Sequence, residues 1–152
     1  MQIERASDAD GPSILQLLSD AGLPIDGLVK HLNAACVARD GAAIVGCSAL
    51  ETYADGALLR SVVVAPAARG RGVRQRLTEA AVSLAQSVGM PAVYLLTTSA
   101  ESYFPKFGFV PVTREQVPAS VKQSIEFRSA CPESAIVLWR PLNDSAEEEH
   151  DA

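Results

Sequence analysis

The sequence is poor in the residues that metal centres and disulfide frameworks need. It contains two histidines and three cysteines among 152 residues. The cysteines, Cys36, Cys47 and Cys131, are odd in number and widely spaced, which disfavours a disulfide framework, and no CxxC pair accompanies either histidine. We therefore expect no metal, a reducing cytoplasmic compartment, and packing rather than catalytic roles for the three thiols.

Long apolar runs and an excess of positive charge are also missing. No run approaches the roughly 18–20 apolar residues of a membrane span. Charges precede the first apolar stretch of residues 1–20, unlike a signal peptide. The net charge of −5 argues against a broad nucleic-acid-binding surface. We therefore expect neither a nucleic acid nor a membrane as a partner.

The chain does contain enough apolar sequence for one folded domain. Hydrophobic residues make up 48% of it, and a chain of this length can bury a core of its own. Residues 143–152 are acidic and show no hydrophobic periodicity. We expect a single domain over residues 1–142 and a disordered tail over residues 143–152.

Turn signals and hydrophobic patterning divide the chain into short elements. Asp-Gly pairs at 40–41 and 55–56 predict tight turns between strands. Ser7 or Asp8 can cap a helix that ends before Gly22. Strands are expected at residues 2–6, 34–38, 43–50, 58–65, 92–97, 110–112 and 135–140.

A strand, a loop and a helix follow one another in the middle of the chain. Residues 58–65 are almost all apolar, as in a strand covered on both faces. Apolar residues then recur at helical spacing up to Gly89, namely Val73, Leu77, Ala80, Ala81, Leu84, Ala85 and Val88. With the apolar strand at 92–97, this order predicts a right-handed crossover between parallel strands.

The loop of this crossover, residues 66–72, is suited to an anion. It leads into the amino end of a helix, where backbone N–H groups lack intrahelical partners and the dipole is positive. Two glycines let the backbone approach an anion closely, and Arg69 and Arg71 add positive charge. The chain lacks the GxxxxGK[ST] pattern of nucleoside triphosphate loops, and a dinucleotide fingerprint would need a glycine at Gln75. A different pyrophosphate is therefore expected.

The segment from Val64 to Val73, with Leu77 four residues on, resembles the acetyl-CoA signature V-x-x-P-x-x-R-G-x-G-hydrophobic of the GCN5-related N-acetyltransferase (GNAT) family. The order of elements resembles that family as far as Leu142. The resemblance implies an α/β fold with a mixed central sheet of about six to seven strands, helices on both faces, and a βαβ acetyl-CoA-binding crossover. It also implies acetyl-CoA as cosubstrate and direct attack of an amine on the thioester in a ternary complex.

The resemblance places the cofactor on three parts of the chain: the strand before the loop, the loop itself, and the turn after the next strand. Backbone N–H groups of the strand would meet the thioester carbonyl. The expected cofactor-binding residues are Val62, Val63, Val64, Arg69, Gly70, Arg71, Gly72, Val73, Arg74, Thr97, Thr98, Tyr103 and Phe104.

Arg74 departs from the family pattern, which prefers a small residue at this position. Its backbone N–H remains available whatever the side chain is. An additional cation near a helix terminus that faces an anion should add about 0.3–1 kcal/mol of binding free energy. We expect the loop to bind its cofactor; the alternative is that the arginine side chain blocks the approach.

Tyr103 and Phe104 are a second departure from the family pattern. Thr98 and Glu101 form a capping box for a short second helix that ends at Gly108. Many relatives place a tyrosine at the position of Phe104, where its hydroxyl reaches the cofactor sulfur. Tyr103 lies one residue away, a large rotation on a helix, so a place in the core or the pocket wall is favoured for it. A thiol with a pKa of about 8.5 leaves as a thiolate without much help.

A third departure concerns the catalytic carboxylate, which many relatives carry at the positions where Arg60 and Ser61 stand here. Glu51, at the end of the preceding strand, is the candidate general base, directly or through water. The alternative for Glu51 is an exposed charge at a strand end. Arg60 and Ser61 are the predicted substrate-binding residues, with Arg60 clamping the carboxylate of an acidic acceptor. The alternative for Arg60 is a structural ion pair with Glu51 or another carboxylate.

A narrower resemblance, to the small acetyltransferases of arsenic-resistance gene clusters, is carried by LLRSVVVAPAARGRG, YLLTTSAESYFPKFGF and VPASVKQSIEFRSACPESA. It implies a small, acidic acceptor amine, such as an arsenical or phosphinic glutamate analogue, and we expect a monomer or homodimer. Two alternatives stay open: an acetyltransferase for protein or peptide amines, and a non-catalytic acyl-CoA-binding sensor.

Overall fold

The computed structural model of the protein describes residues 1–98, 100, 102–130 and 134–142. The predicted tail over residues 143–152, and also Glu101 and Cys131, lie outside the described residues. Across the described ranges the chain forms seven β-strands and two α-helices, joined by short 3-10 turns and one π-helical turn.

The strands form a seven-stranded sheet in the order β1-β2-β3-β4-β5-β7-β6. Their bounds are β1 Gln2–Arg5, β2 Ala35–Asp40, β3 Ala43–Tyr53, β4 Gly56–Val64, β5 Ala92–Thr97, β6 Val110–Val112 and β7 Ile136–Pro141. Four neighbouring pairs are antiparallel: β1 with β2, β2 with β3, β5 with β7, and β6 with β7. Every strand predicted from the sequence is present.

The two helices are α1 Gly11–Asp20 and α2 Val73–Ser87. Asp10 prepares the start of α1, because its carboxylate accepts a hydrogen bond from the Ser7 backbone N–H at 2.8 Å and thereby holds the preceding turn. Proline stands in the first turn of α1, where its missing N–H costs nothing. Neither helix of the described chain is long and apolar enough to cross a bilayer.

The chain divides into two compact units. The first comprises Met1–Glu51 and Leu59–Leu84, and the second comprises Thr52–Leu58 and the chain from Ala85 onward. The single domain predicted over residues 1–142 stays a prediction.

In the first unit, helices cover both faces of β2. Val37 packs in a buried cluster with Ile14 of α1, whereas Cys36 packs in another cluster with Leu77 of α2. Successive side chains of a strand point to opposite faces. The two clusters therefore lie on opposite sides of the sheet, which confirms the layered α/β architecture.

In the second unit, β5 and β7 form the centre of the core. Their Cα atoms pair from Ala92 with Pro141 to Thr97 with Ile136. Tyr94 of β5 and Val137 of β7 join a buried apolar cluster on this pair. The segment between β6 and β7 contributes to the same cluster and is thereby held against the strands.

The second predicted helix, between Thr98 and Gly108, was wrong. The structure has a single 3-10 turn at Phe104–Phe107, ended by Gly108 at a φ of 90°. Pro105 explains the difference, because proline has no N–H to donate and its ring collides with the preceding turn of an α-helix. Ahead of this turn, the Thr97 hydroxyl accepts a hydrogen bond from the Ala100 N–H at 2.9 Å.

Candidate active site

The loop after β4 forms a tight, ordered turn that leads directly into α2. Ala68 N–H donates to the Ala65 carbonyl at 2.9 Å, and Arg69 N–H donates to the Pro66 carbonyl at 3.3 Å. The first hydrogen bond of the helix follows at once, from Arg76 N–H to the Gly72 carbonyl at 3.1 Å. The loop is therefore a fixed entry to the amino end of α2, where N–H groups point out of the helix.

Both loop glycines adopt backbone angles that other residues rarely reach. Gly70 has a φ of 82° and Gly72 a φ of 75°, and a Cβ at either position would meet nothing within 4 Å. Left-handed geometry, rather than lack of space, therefore requires glycine at both positions. These two reversals curl the backbone around the amino end of α2, where it can surround an anion.

The arginines of the loop are exposed, and two of them also support its shape. Arg69 Nε donates to the Val64 carbonyl at 3.3 Å, and Arg71 Nη2 donates to the Ala67 carbonyl at 3.2 Å. Arg71 also lies 3.5 Å from Asp40 in an exposed ion pair. Arg74 is partly buried in the first turn of α2. The loop thus combines backbone N–H groups with positive charge that solvent can reach.

Helix α2 lies unusually close to β3 because of Gly46. A Cβ at this position would come within 2.9 Å of Leu77 Cδ1 and 3.0 Å of the Val63 carbonyl oxygen. Ser48, buried two residues further along β3, donates its hydroxyl to the Leu77 carbonyl at 3.1 Å. A missing side chain and a hydrogen bond therefore fix the helix that carries the loop.

Strand β4 contains a left-handed residue just before the loop-bearing end. Ser61 has a φ of 61°, and it is the single non-glycine residue with positive φ in the described ranges. Such a conformation costs about 1–2 kcal/mol for an L-residue. Neighbours hold it in place: Arg60 Nε donates to Ser61 Oγ at 2.9 Å, and the Cys47 thiol donates to the Ser61 carbonyl at 3.3 Å.

Arg60 and Glu51 form a buried ion pair in the first unit. Arg60 Nη1 lies 2.8 Å from Glu51 Oε2, and the exposed fractions of the two side chains are 0% and 1%. The guanidinium also donates to the backbone carbonyls of Asp26 at 2.6 Å and Pro24 at 3.1 Å. Such extensive bonding offsets the cost of burying two charges.

This geometry supports the second interpretation given above for Arg60, a structural ion pair with Glu51. A clamp on an acceptor carboxylate would require the guanidinium to give up partners that it already holds. Glu51 is likewise not an exposed charge at a strand end, because its carboxylate is closed to solvent. A base role for Glu51 stays a prediction, and because of this burial it would require a neighbouring group that reaches solvent.

His31 is the described neighbour of Glu51 that reaches solvent. The sequence around His31 gave no sign of this position. Its Nε2 lies 3.9 Å from Glu51 Oε2, and 22% of the His31 side chain is exposed. Burial lowers the pKa of His31 from its usual 6.5, as do the charges of Arg60 and Lys30, and the charge of Glu51 opposes this effect. The imidazole is therefore neutral at pH 7 and can accept a proton.

Both described cysteines are buried, which disfavours a role as nucleophile. Burial raises the pKa of Cys36, and it raises the pKa of Cys47 to about 12. Both thiols therefore stay protonated at neutral pH, and the thiolate is the reactive form. The described residues also contain no group of three or more His, Cys, Asp and Glu side chains that could hold a metal ion.

The remaining predicted cofactor residues lie in the second unit. Phe104 is buried and meets Phe109 at a centroid distance of 6.0 Å. Tyr103 is partly exposed, lies edge-on to Phe104 at 5.1 Å, and has the Lys106 ammonium 4.2 Å from its ring. These contacts give Phe104 a packing role, and the cofactor contacts of Thr97, Thr98, Tyr103 and Phe104 stay predictions.

Comparison with known proteins identifies relatives over most of the chain. The family described as "acetyltransferase (GNAT) domain" matches this chain over residues 31–111, more than half of its length. An amino-acid acetyltransferase of Neisseria meningitidis is 24% identical over 149 residues, which cover 92% of this chain and 34% of that protein. The chain thus spans about a third of the length of this curated relative.

Solved structures share the fold. A protein from Mycobacterium tuberculosis, solved in complex with CoA and NLQ, has a TM-score of 0.79 at 22% identity over 93% of this chain and 99% of its own. The N-acetylglutamate synthase of Neisseria gonorrhoeae, complexed with coenzyme A and N-acetyl-glutamate, has the same score and identity over 93% of this chain and 35% of its own. These likenesses confirm the predicted fold.

Proposed function

The chain belongs to the acetyltransferase (GNAT) domain family, and on this premise we propose that it transfers the acetyl group of acetyl-CoA to the amino group of a small, acidic, amino-acid-like molecule. The observation that carries the proposal is the loop over residues 66–72. Two left-handed glycines curl its backbone at the start of a long helix, and exposed arginines surround it. A pyrophosphate bridge such as that of coenzyme A fits this arrangement.

The acetyl end of the cofactor is proposed to lie along the end of β4. Backbone N–H groups of Val62, Val63 and Val64 would polarise the thioester carbonyl, as the family resemblance implies. The left-handed turn at Ser61 interrupts the regular strand immediately before this stretch. Irregular backbone of this kind is maintained where a ligand needs access to groups that a sheet would otherwise pair.

The chemistry proposed is direct transfer. An ammonium acceptor first loses a proton, and its amine nitrogen attacks the thioester carbonyl carbon. The C–N bond forms, the C–S bond breaks, and the thiolate takes up one proton while a second proton leaves to solvent. The thiolate needs little assistance to leave, so a tyrosine acid at the position of Phe104 is not required.

An amino-acid-like acceptor is supported by relatives rather than by a described pocket. The curated relative is named an amino-acid acetyltransferase, and one structural neighbour was solved with N-acetyl-glutamate. The finer proposal, an arsenical or phosphinic glutamate analogue, rests on the sequence resemblance to acetyltransferases of arsenic-resistance clusters. The cytoplasm is the compartment proposed for this reaction, and the oligomeric alternatives, monomer and homodimer, both remain.

Thiol release from acetyl-CoA with a panel of amines tests the proposal. The panel contains glutamate, phosphinic and arsenical glutamate analogues, other amino acids, and peptides with free lysines or amino termini. Turnover with the small acidic amines supports the proposal. Turnover with peptides alone would indicate a protein acetyltransferase, and tight acetyl-CoA binding without any turnover would indicate a sensor.

A matched pair of variants tests the loop itself. Gly70→Ala places a side chain at a φ of 82° in the loop, and Gly89→Ala places one at a φ of 80° away from it, both in open space. The two substitutions carry similar backbone strain. Calorimetry should show acetyl-CoA affinity lost or strongly reduced in Gly70→Ala and kept in Gly89→Ala; equal affinities would remove the loop from the cofactor site.

A further inference from the structure

The cluster around Glu51 contains one titratable group that reaches solvent. The side chains of Arg60 and Glu51 are 0% and 1% exposed, whereas that of His31 is 22% exposed. His31 Nε2 and Glu51 Oε2 are 3.9 Å apart, which is beyond hydrogen-bond distance but within ion-pair distance. Of these three side chains, that of His31 is therefore the one that solvent reaches.

His31 stands at an irregular point of the backbone, close in sequence to the loop that holds Arg60. The backbone interrupts the 3-10 segment Leu28–Ala34 at His31, where φ is −117° and ψ is 16°. The same loop region supplies the Pro24 and Asp26 carbonyls that hold Arg60. Arg60 in turn contacts Ser61, the left-handed residue before the proposed thioester site. Ion-pair and hydrogen-bond contacts thus link His31 through Glu51 and Arg60 to Ser61, which precedes the proposed acetyl site in the chain.

We propose that His31 is the general base that takes the proton from the acceptor ammonium, and that Glu51 is a positioning residue that stabilises the imidazolium which forms. This inference rests on the function proposed above and names its base. Arg60 holds the Glu51 carboxylate in place through their 2.8 Å contact. The proton passes from the ammonium nitrogen to the imidazole, directly or through one water, and then to solvent.

The charged groups that face His31 agree with this role. Burial, Arg60 and Lys30 lower the pKa of His31, whereas Glu51 raises it. The net result is an imidazole that is neutral at pH 7 and ready to accept a proton. When the proton arrives, the Glu51 carboxylate offsets part of the cost of the new charge.

The test is the pH profile of kcat/KM for the best acceptor of the panel, measured for the wild type, His31→Gln, Glu51→Gln and His150→Gln. His150→Gln removes the second histidine of the sequence and is the matched control. The wild type should reach a plateau with a midpoint below pH 6.5, the usual histidine value. His31→Gln should lower kcat by about 10²–10⁴-fold, and its rate should instead rise toward the pKa of the free amine.

Binding and rescue separate catalysis from folding. Acetyl-CoA affinity should be unchanged in His31→Gln, and added imidazole should restore part of the turnover of His31→Ala. Glu51→Gln should shift the acidic limb of the kcat/KM profile to lower pH, because the Glu51 carboxylate is the charge that raises the pKa of His31.

The outcomes distinguish the two proposals. Should the wild type acetylate no amine, the proposed function fails, and the role of His31 fails with it. Should the wild type turn over while His31→Gln keeps its rate and plateau, only the base is wrong. NMR titration of the wild type gives an independent check, since an imidazole midpoint that differs from the kinetic limb would also overturn the role of His31.

Discussion

The proposed cofactor loop and the buried cluster of His31, Glu51 and Arg60 lie in the same compact unit but present charge in opposite ways. The loop uses backbone N–H groups and exposed arginines, and each arginine could be lost without leaving a buried charge behind. The cluster holds an arginine and a glutamate that are almost fully closed to solvent. An exposed charge binds a ligand at little cost to folding, whereas a buried charge must be matched by partners within the fold.

The largest expected effect comes from removing one partner of the buried ion pair between Arg60 and Glu51. Arg60→Leu leaves Glu51 buried without its guanidinium, and we expect a loss of about 3–5 kcal/mol in the free energy of unfolding. The comparison is Arg71→Ala, which removes the exposed pair with Asp40 and should change stability by less than about 0.5 kcal/mol. Urea denaturation measures both values.

A double variant sharpens this result. Arg60→Leu combined with Glu51→Leu removes both charges and should recover most of the lost stability, because apolar replacements of a buried ion pair are often close to neutral. If the single variant Arg60→Leu were as mild as Arg71→Ala, the cluster would not behave as a buried ion pair.

The next effect comes from the contact that fixes the loop-bearing helix. Gly46→Ala would place a Cβ 2.9 Å from Leu77 Cδ1, and we expect a cost of about 1–3 kcal/mol in stability. Acetyl-CoA affinity should fall as well, because the displaced helix carries the loop. Ser48→Ala is the control: it removes a hydrogen bond to Leu77 and adds no bulk. Calorimetry that shows no change in affinity for Gly46→Ala would separate the helix position from cofactor binding.

A smaller effect is expected at Arg74. If its guanidinium assists the phosphates, Arg74→Gly should weaken acetyl-CoA binding by about two- to five-fold, equivalent to 0.3–1 kcal/mol. Higher salt should reduce the difference between the variant and the wild type. Tighter binding by the glycine variant would instead show that the arginine side chain obstructs the loop.

The smallest effect is a dependence of stability on pH. The folded-state pKa of His31 lies below its unfolded value of 6.5, so the unfolded chain binds more protons in mild acid. Stability from this group is therefore present above pH 6.5 and is lost as pH falls through the folded pKa. Thermal melting across this window should show a shallower decline for His31→Gln, and identical declines would place His31 outside the buried environment.

The loop and the sheet could be predicted from sequence because their causes are local. The bounds of β5 and β6 match the expected ones, since each is an apolar or β-branched run between turn residues. The predicted place of Val88 on the apolar face of the helix was wrong. Val88 continues the helical spacing, but α2 ends at Ser87 and Val88 is exposed. The prediction of a short helix after Thr98 was wrong because Pro105 disfavours an α-helix more strongly than the predicted cap favours one.

What the sequence determined by itself is the shape of the loop after β4, because its two left-handed glycines act through the backbone of the same few residues. The tertiary structure alone decided the cluster of His31, Glu51 and Arg60. It buries Arg60 against Glu51 and brings His31 beside them, from segments far apart in the chain. No local pattern encodes such contacts, since the exposure and the pKa of a side chain depend on everything that packs around it.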